Sequence, residues 1–173
     1  MSTRSNLAYK TKDGYSGIYC HSDGYPTWRG KQIWEIIQGL YKETHDYKEA
    51  IDKFIKDYIK GHPGGWSSFP LSCYCHRGEN ESCSNMIVTS KNPDPLFMEW
   101  VYILDRDDAS MTILKSKVVP PENEEMNDVF IDQTERDDGK WDYGHCISWH
   151  SKIDVVKFDG DCPRWDLMEK SKR

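Results

Sequence analysis

Residues 7–20 read LAYKTKDGYSGIYC and contain two short β-prone runs, residues 7–10 and 17–20. Between them, Asp13-Gly14 supplies the positive backbone angle that a tight turn requires. We therefore expect a β-hairpin at the start of the fold.

Two amphipathic helices are predicted after this hairpin. Apolar residues recur at helical spacing from residue 28 to about residue 41, and Thr27 precedes them as a suitable helix cap. A second helix begins with Asp46 and Glu49, which fit a capping box, and ends at Gly61. The first helix should pack on the sheet, and the second also has an apolar face.

The remainder of the chain predicts mostly antiparallel strands and a short C-terminal helix that Pro163 opens. The strand-like segments are residues 71–75, 97–104, 111–114, 129–131, 147–149 and 153–158. Because strands and helices do not alternate regularly, the pattern favours a single α+β domain over residues 1–173 rather than a doubly wound sheet.

The composition indicates a globular protein with an aromatic core. Of the residues, 37% are hydrophobic and 13% aromatic, which argues against intrinsic disorder. The net charge is −6, with 29 acidic and 23 basic residues, so broad binding to nucleic acid is not expected.

The N-terminal residues MSTRSN are polar and no apolar stretch follows them, so we expect neither a signal peptide nor a membrane anchor. A cytoplasmic location is the consequence, with no membrane partner. The six cysteines are then expected to be reduced thiols.

A first candidate site lies in residues 19–26, YCHSDGYP, at the end of the second predicted strand. His21 and Asp23 are two residues apart and can share a face, so Asp23 is able to orient the imidazole, with Tyr25 beside them. Alternatively, Asp23 forms an Asx-turn and His21 closes the loop. Cys20 is either a nucleophile or, since it faces away from His21, a buried structural thiol.

A second candidate site follows the helices, in residues 73–79, CYCHRGE. Arg77 is suited to bind a phosphate or carboxylate in bidentate fashion, with His76 and Glu79 beside it. The alternative is an ordinary surface ion pair between Arg77 and Glu79.

The same segment contains zinc-type donors. Cys73, Cys75, His76 and Cys83 have suitable atoms, and Cys20 or His145 are further sources. Zinc knuckles usually have two-residue gaps between paired cysteines, whereas the gap here is one residue in a predicted strand. We therefore predict no metal and no cofactor.

Residues 2–6, STRSN, and 17–26, GIYCHSDGYP, resemble a family of small uncharacterised proteins from bacteriophages and bacterial mobile elements. Residues 75–79, CHRGE, and 100–102, WVY, are partial matches; the second motif is shortened and lacks an acid-arginine pair. The resemblance implies a phage or mobile-element setting, in which small acidic cytoplasmic proteins act on host machinery or host defence. It emphasises His, Asp, Arg and Glu rather than thiols.

Three functions are compatible with these features. The favoured one is a binding protein rather than an enzyme, in which a cleft takes a small anionic or nucleotide-like ligand, for example a host defence signal. The cleft residues are His21, Asp23, Tyr25, His76, Arg77 and Glu79.

The second function is a hydrolase or transferase, with His21 as general base oriented by Asp23 and with Arg77 stabilising negative charge. The third is inhibition of a host protein through acidic hairpins such as residues 105–108. The exposed aromatic content is also compatible with a homodimer.

Overall fold

A computed structural model describes residues 3–75, 86–95, 97–119, 134–143 and 146–170, and the fold is α+β, as the sequence predicts. The strands are β1 Ser5–Thr11, β2 Gly14–Cys20, β3 Trp66–Ser68, β4 Ser72–Cys73, β5 Ile87–Thr89, β6 Trp100–Asp105, β7 Ser110–Val119, β8 Thr134–Glu135, β9 Trp141–Tyr143 and β10 Cys146–Lys157. The helices are α1 Lys31–Thr44, α2 Tyr47–Phe54 and α3 Trp165–Glu169, with π-helical segments Pro26–Gly30 before α1 and Ile55–Lys60 after α2.

The strands form one mixed sheet in the order β4-β3-β2-β1-β6-β7-β10-β9-β8, and β5 also pairs with β2. The predicted N-terminal hairpin is confirmed, with Leu7 opposite Ile18 in antiparallel β1 and β2. On its other side β1 is parallel to β6, where Leu7 is opposite Tyr102. The N-terminal strand β1 therefore lies inside the sheet, between β2 and β6, and the hairpin is part of the centre of the sheet.

The core follows the alternation of side chains along these strands. Leu7, Ile18 and Tyr102 face the helices, while Ala8 and Val101 belong to a smaller cluster on the opposite face. The helices and the C-terminal segment contribute buried apolar residues to the larger cluster, among them Ile33, Trp34, Ile37, Ile51, Phe54, Phe158 and Trp165. One face of the sheet thus carries the main core.

The two predicted helices are present, but only the second begins as expected. The side chain of Asp46 accepts a hydrogen bond from the Lys48 N–H at 2.9 Å and caps α2. Thr27 caps nothing: the helical backbone already begins at Pro26, and the N–H and hydroxyl of Thr27 both donate to the Glu169 carboxylate of α3. Thr27 therefore ties the first helical segment to the last.

Several strands differ in length from the prediction. Of the strand expected at 71–75, only β4 is present, because the chain bends at Tyr74. The strands expected at 147–149 and 153–158 are parts of β10, which is continuous apart from a register shift between Lys152 and Asp154. The segment 129–131 lies outside the described residues.

In the described part of the chain, no helix is long and apolar enough to cross a membrane.

Candidate functional site

The loop after β2 is held by backbone hydrogen bonds to two other segments. His21 N–H donates to the Trp66 carbonyl of β3 at 2.8 Å, and Gly24 N–H donates to the Thr3 carbonyl at 2.9 Å. From the core, the buried Tyr102 hydroxyl donates to the Gly24 carbonyl at 2.7 Å. The first candidate site is therefore a fixed loop at the end of a central hairpin.

Two consecutive residues of this loop have left-handed backbone conformations. Ser22 has a φ of 54° and Asp23 a φ of 52°. Such conformations are uncommon for residues other than glycine and cost on the order of 1–3 kcal/mol where strained, and they cluster at ligand sites. The Arg29 Nη2 donates to the Ser22 carbonyl at 2.9 Å, and this hydrogen bond stabilises the loop conformation.

The imidazole of His21 is oriented by Tyr19 rather than by Asp23. Its Nδ1 lies 2.6 Å from the Tyr19 hydroxyl oxygen, whereas the Asp23 carboxylate accepts from the Tyr25 hydroxyl at 3.4 Å. In the described residues, each of the two side chains therefore has a tyrosine hydroxyl as a hydrogen-bond partner, Tyr19 for His21 and Tyr25 for Asp23.

Arg4 brings a positive charge to the same place. Burial raises the pKa of Tyr19, and the Arg4 guanidinium, which hydrogen-bonds to this side chain, partly offsets the rise. The Arg4 guanidinium also lies over the Phe97 ring, 5.8 Å from its centroid. Arg4, Tyr19 and His21 therefore form a connected polar group beside the loop.

Arg29 is the second cation at the site, and it is almost completely buried, with 1% of its surface exposed. Its terminal nitrogens donate to Ser22 and to Gln32, the latter at 3.2 Å, and its guanidinium lies 4.8 Å from the Phe69 ring centroid. Among the described residues, its Nε has no hydrogen-bond partner. In the described part of the chain, no carboxylate forms an ion pair with it.

The Cys20 thiol is not suited to nucleophilic attack. It is fully buried, and burial raises its pKa to about 11 although the Arg29 charge acts in the opposite direction. Of the two interpretations of Cys20, the geometry therefore supports the structural thiol.

The second motif begins next to the first. The Tyr74 ring stacks on the Tyr19 ring, with centroids 6.4 Å apart and an interplanar angle of 25°. His76, Arg77 and Glu79 lie outside the described residues. The last described residues before them are thus in contact with the ring that orients His21.

Sequence reasoning did not select Arg4, Tyr19 or Arg29. Arg4 and Tyr19 lie inside the stretches that carry the family resemblance, so the signal for them was available. No sequence signal pointed to Arg29, because a charged residue at the start of an amphipathic helix is normally solvated.

The acidic hairpin tip at residues 105–108 is largely neutralised. Its ion pairs include Lys10 with Asp105 at 3.2 Å, Arg106 with Asp52 at 2.7 Å, and Lys157 with Asp108 at 2.5 Å. The Lys157 contact lowers the pKa of Asp108. These contacts leave little net negative charge at the tip with which to attract a basic partner protein.

Comparison of the chain with family models, with curated proteins and with solved structures finds no match in any of the three. The function is therefore argued from the geometry of the loop after β2, its two cations and its aromatic side chains.

Proposed function

We propose that the protein binds a small anionic, nucleotide-like ligand at the loop after β2. The sequence assigns His21, Asp23, Tyr25, His76, Arg77 and Glu79 to this cleft, and the described chain adds Arg4 and Arg29. The observation that carries the proposal is the buried Arg29 guanidinium, which lies beneath the loop without a carboxylate partner among the described residues.

A buried charge without a counter-ion is costly, and bound anions are one way in which proteins offset that cost. A unit negative charge about 6 Å from a guanidinium gains about 2–3 kcal/mol at an effective dielectric constant of about 20. Arg29 would act through this field, because its two terminal nitrogens already donate to Gln32 and Ser22. Direct contacts would come from His21 and Arg4.

The aromatic side chains suit the nucleotide part of such a ligand. Trp28 follows the loop and is 52% exposed, and Tyr25 within the loop is half-buried. An exposed indole is a suitable surface for base stacking. The contact between Tyr74 and Tyr19 supports placing His76, Arg77 and Glu79 in the same cleft.

The biological setting is part of the proposal. The family resemblance supports a phage or mobile-element protein that acts in the host cytoplasm, where it would sequester a nucleotide-like defence signal.

Native mass spectrometry of the protein purified from infected and uninfected cells tests this function. We expect a retained nucleotide-like mass that is lost in Arg77→Ala and in His21→Ala. Arg106→Ala is the matched control, because Arg106 is an exposed arginine on the hairpin that pairs with Asp52. This variant should retain the ligand.

Two other outcomes would contradict the binding proposal. A ligand-free mass with a co-purifying host protein would favour the inhibitor hypothesis, especially if charge reversal at Asp105 or Asp108 released that protein. Steady conversion of an added nucleotide, abolished in His21→Ala, would favour the hydrolase or transferase hypothesis.

A further inference from the structure

A second polar cluster lies where the chain leaves the π-helical segment Ile55–Lys60 and forms the β3–β4 hairpin. One ligand atom each from His62, Cys73 and Cys75 lies within 4.8 Å of the other two. We propose that these three side chains bind one zinc ion. The proposal is independent of the anionic ligand, since it involves different side chains.

The donor set selects this kind of metal. Two thiolates and one imidazole are soft and borderline donors, which favour Zn²⁺ over the oxygen-preferring Mg²⁺ or Ca²⁺. Cys73 is buried, while His62 and Cys75 are half-buried, so an ion can enter from the solvent side.

The positions of the two cysteines remove the objection raised by their spacing. One-residue spacing was unfavourable because a strand was expected to continue through both residues. Instead, β4 ends at Cys73 and the chain bends at Tyr74, so that Cys75 is part of a turn. His62, which sequence reasoning did not consider as a ligand, completes the group from the turn at residues 62–65.

The separations are close to those of a bound ion. Zinc bonds of about 2.3 Å to sulfur and about 2.0–2.1 Å to nitrogen place tetrahedral ligand atoms roughly 3.6–3.8 Å apart. Because the three atoms lie within 4.8 Å of one another, the ligands need to close by no more than about 1 Å. Small side-chain rotations of the half-buried His62 and Cys75 would achieve this.

Backbone hydrogen bonds already join the segments that carry the ligands. Gly64 N–H donates to the Cys75 Sγ at 2.9 Å, a contact of the kind that orients metal ligands in proteins. Tyr74 N–H donates to the Gly65 carbonyl at 3.0 Å, and Gly65 N–H to the His62 carbonyl at 2.9 Å. The ligand-bearing segments are therefore held together by the protein itself.

A zinc ion here would strengthen the support of the loop after β2, and the three side chains would leave its fourth tetrahedral position to a water molecule or another donor. The His62 ring lies 4.1 Å from the Trp66 ring, and Trp66 is opposite both Cys73 in β4 and Cys20 in β2. The ion would therefore link the segment after the π-helical residues Ile55–Lys60 to the β3–β4 hairpin, and β3 pairs with β2 at the residue just before the loop.

The first experiment measures metal in the full-length protein, purified without chelator and without a histidine tag. We expect about one zinc per chain by elemental mass spectrometry. After zinc removal, Co²⁺ should restore the site with sulfur-to-cobalt charge-transfer and tetrahedral d–d bands. X-ray absorption of the zinc form should show at least two sulfur ligands and a nitrogen ligand.

Variants then test the assignment of ligands. His62→Gln, Cys73→Ser and Cys75→Ser should each weaken Co²⁺ binding at least tenfold. The matched controls are Cys162→Ser, an exposed free thiol, and His45→Asn, an exposed residue whose left-handed backbone suits asparagine. Both controls should keep the full zinc content.

His62→Cys keeps the test decisive if the loss-of-ligand variants fold poorly. A thiolate at this position should preserve the zinc content and increase the intensity of the cobalt charge-transfer band. Wild-type protein without zinc and without a cobalt charge-transfer band would overturn the proposal. So would undiminished Co²⁺ affinity in Cys73→Ser and Cys75→Ser, or a disulfide between these cysteines in freshly purified protein.

Discussion

Tyr102→Phe tests whether the candidate loop is anchored from the core. The Tyr102 side chain is fully buried, and its hydroxyl donates to the carbonyl of Gly24, which is buried as well. Burial raises the pKa of this phenol well above 10, so it stays a neutral donor at any ordinary pH. Phenylalanine has nearly the same shape and removes only the hydroxyl.

The expected cost is that of a buried carbonyl left without its donor, about 1–3 kcal/mol in the free energy of unfolding. For a chain of 173 residues, each kcal/mol lowers the melting temperature by about 2–4 °C. A cost of about 2 kcal/mol thus predicts a decrease of about 4–8 °C in thermal unfolding. Amide hydrogen exchange in residues 22–25 should accelerate in parallel.

Tyr9→Phe is the matched control. The Tyr9 ring is half-buried and packs under the Lys60 ammonium, 5.1 Å from the ring centroid. Its hydroxyl forms no hydrogen bond within the described residues, so its removal should change the melting temperature by less than about 2 °C. Equal melting temperatures and equal exchange rates in the two variants would refute the anchoring of the loop through Gly24.

Three further changes test other parts of the fold. Asp46→Ala should lower the free energy of unfolding by about 1 kcal/mol in urea titrations, because α2 loses its N-terminal cap. Gly65→Ala should cost more than about 2 kcal/mol, since Gly65 has a φ of +80° and an added Cβ would lie 2.4 Å from the Tyr19 carbonyl oxygen. Burial lowers the pKa of His150 below 6.5 in the folded protein. As the pH falls, His150 is therefore protonated in the unfolded chain before it is protonated in the folded one. Stability should therefore decline below about pH 6.5, by up to about 1.4 kcal/mol per pH unit, and the decline should be smaller in His150→Gln.

Local sequence signals predicted the local structure well. The turn at Asp13-Gly14, the cap at Asp46 and the alternating residues of β6 and β7 each act over a few neighbouring residues, and all three predictions are confirmed. The parallel pairing of β1 with β6 was not predicted, because it depends on segments far apart in sequence. The short strands β3 and β5 were missed for the same reason, since partner strands define them more than their own residues do.

In the candidate site, too, the sequence predicted the local features but not the contacts between separate segments. The sequence identified the loop residues His21, Asp23 and Tyr25, but it paired His21 with Asp23 rather than with Tyr19. The burial of Arg29 and the approach of His62 to Cys73 depend on tertiary packing. No pattern within either segment encodes such a contact.

The internal position of β1 affects how the chain folds during synthesis. The hairpin of β1 and β2 leaves the ribosome well before β6, so Ser5 must wait for its partner Trp100. Contacts of such long sequence separation slow folding, because a long loop has to close before they form. Until β6 is made, β1 presents an unpaired edge, and this edge is where a nascent or truncated chain is most exposed to aggregation or chaperone binding.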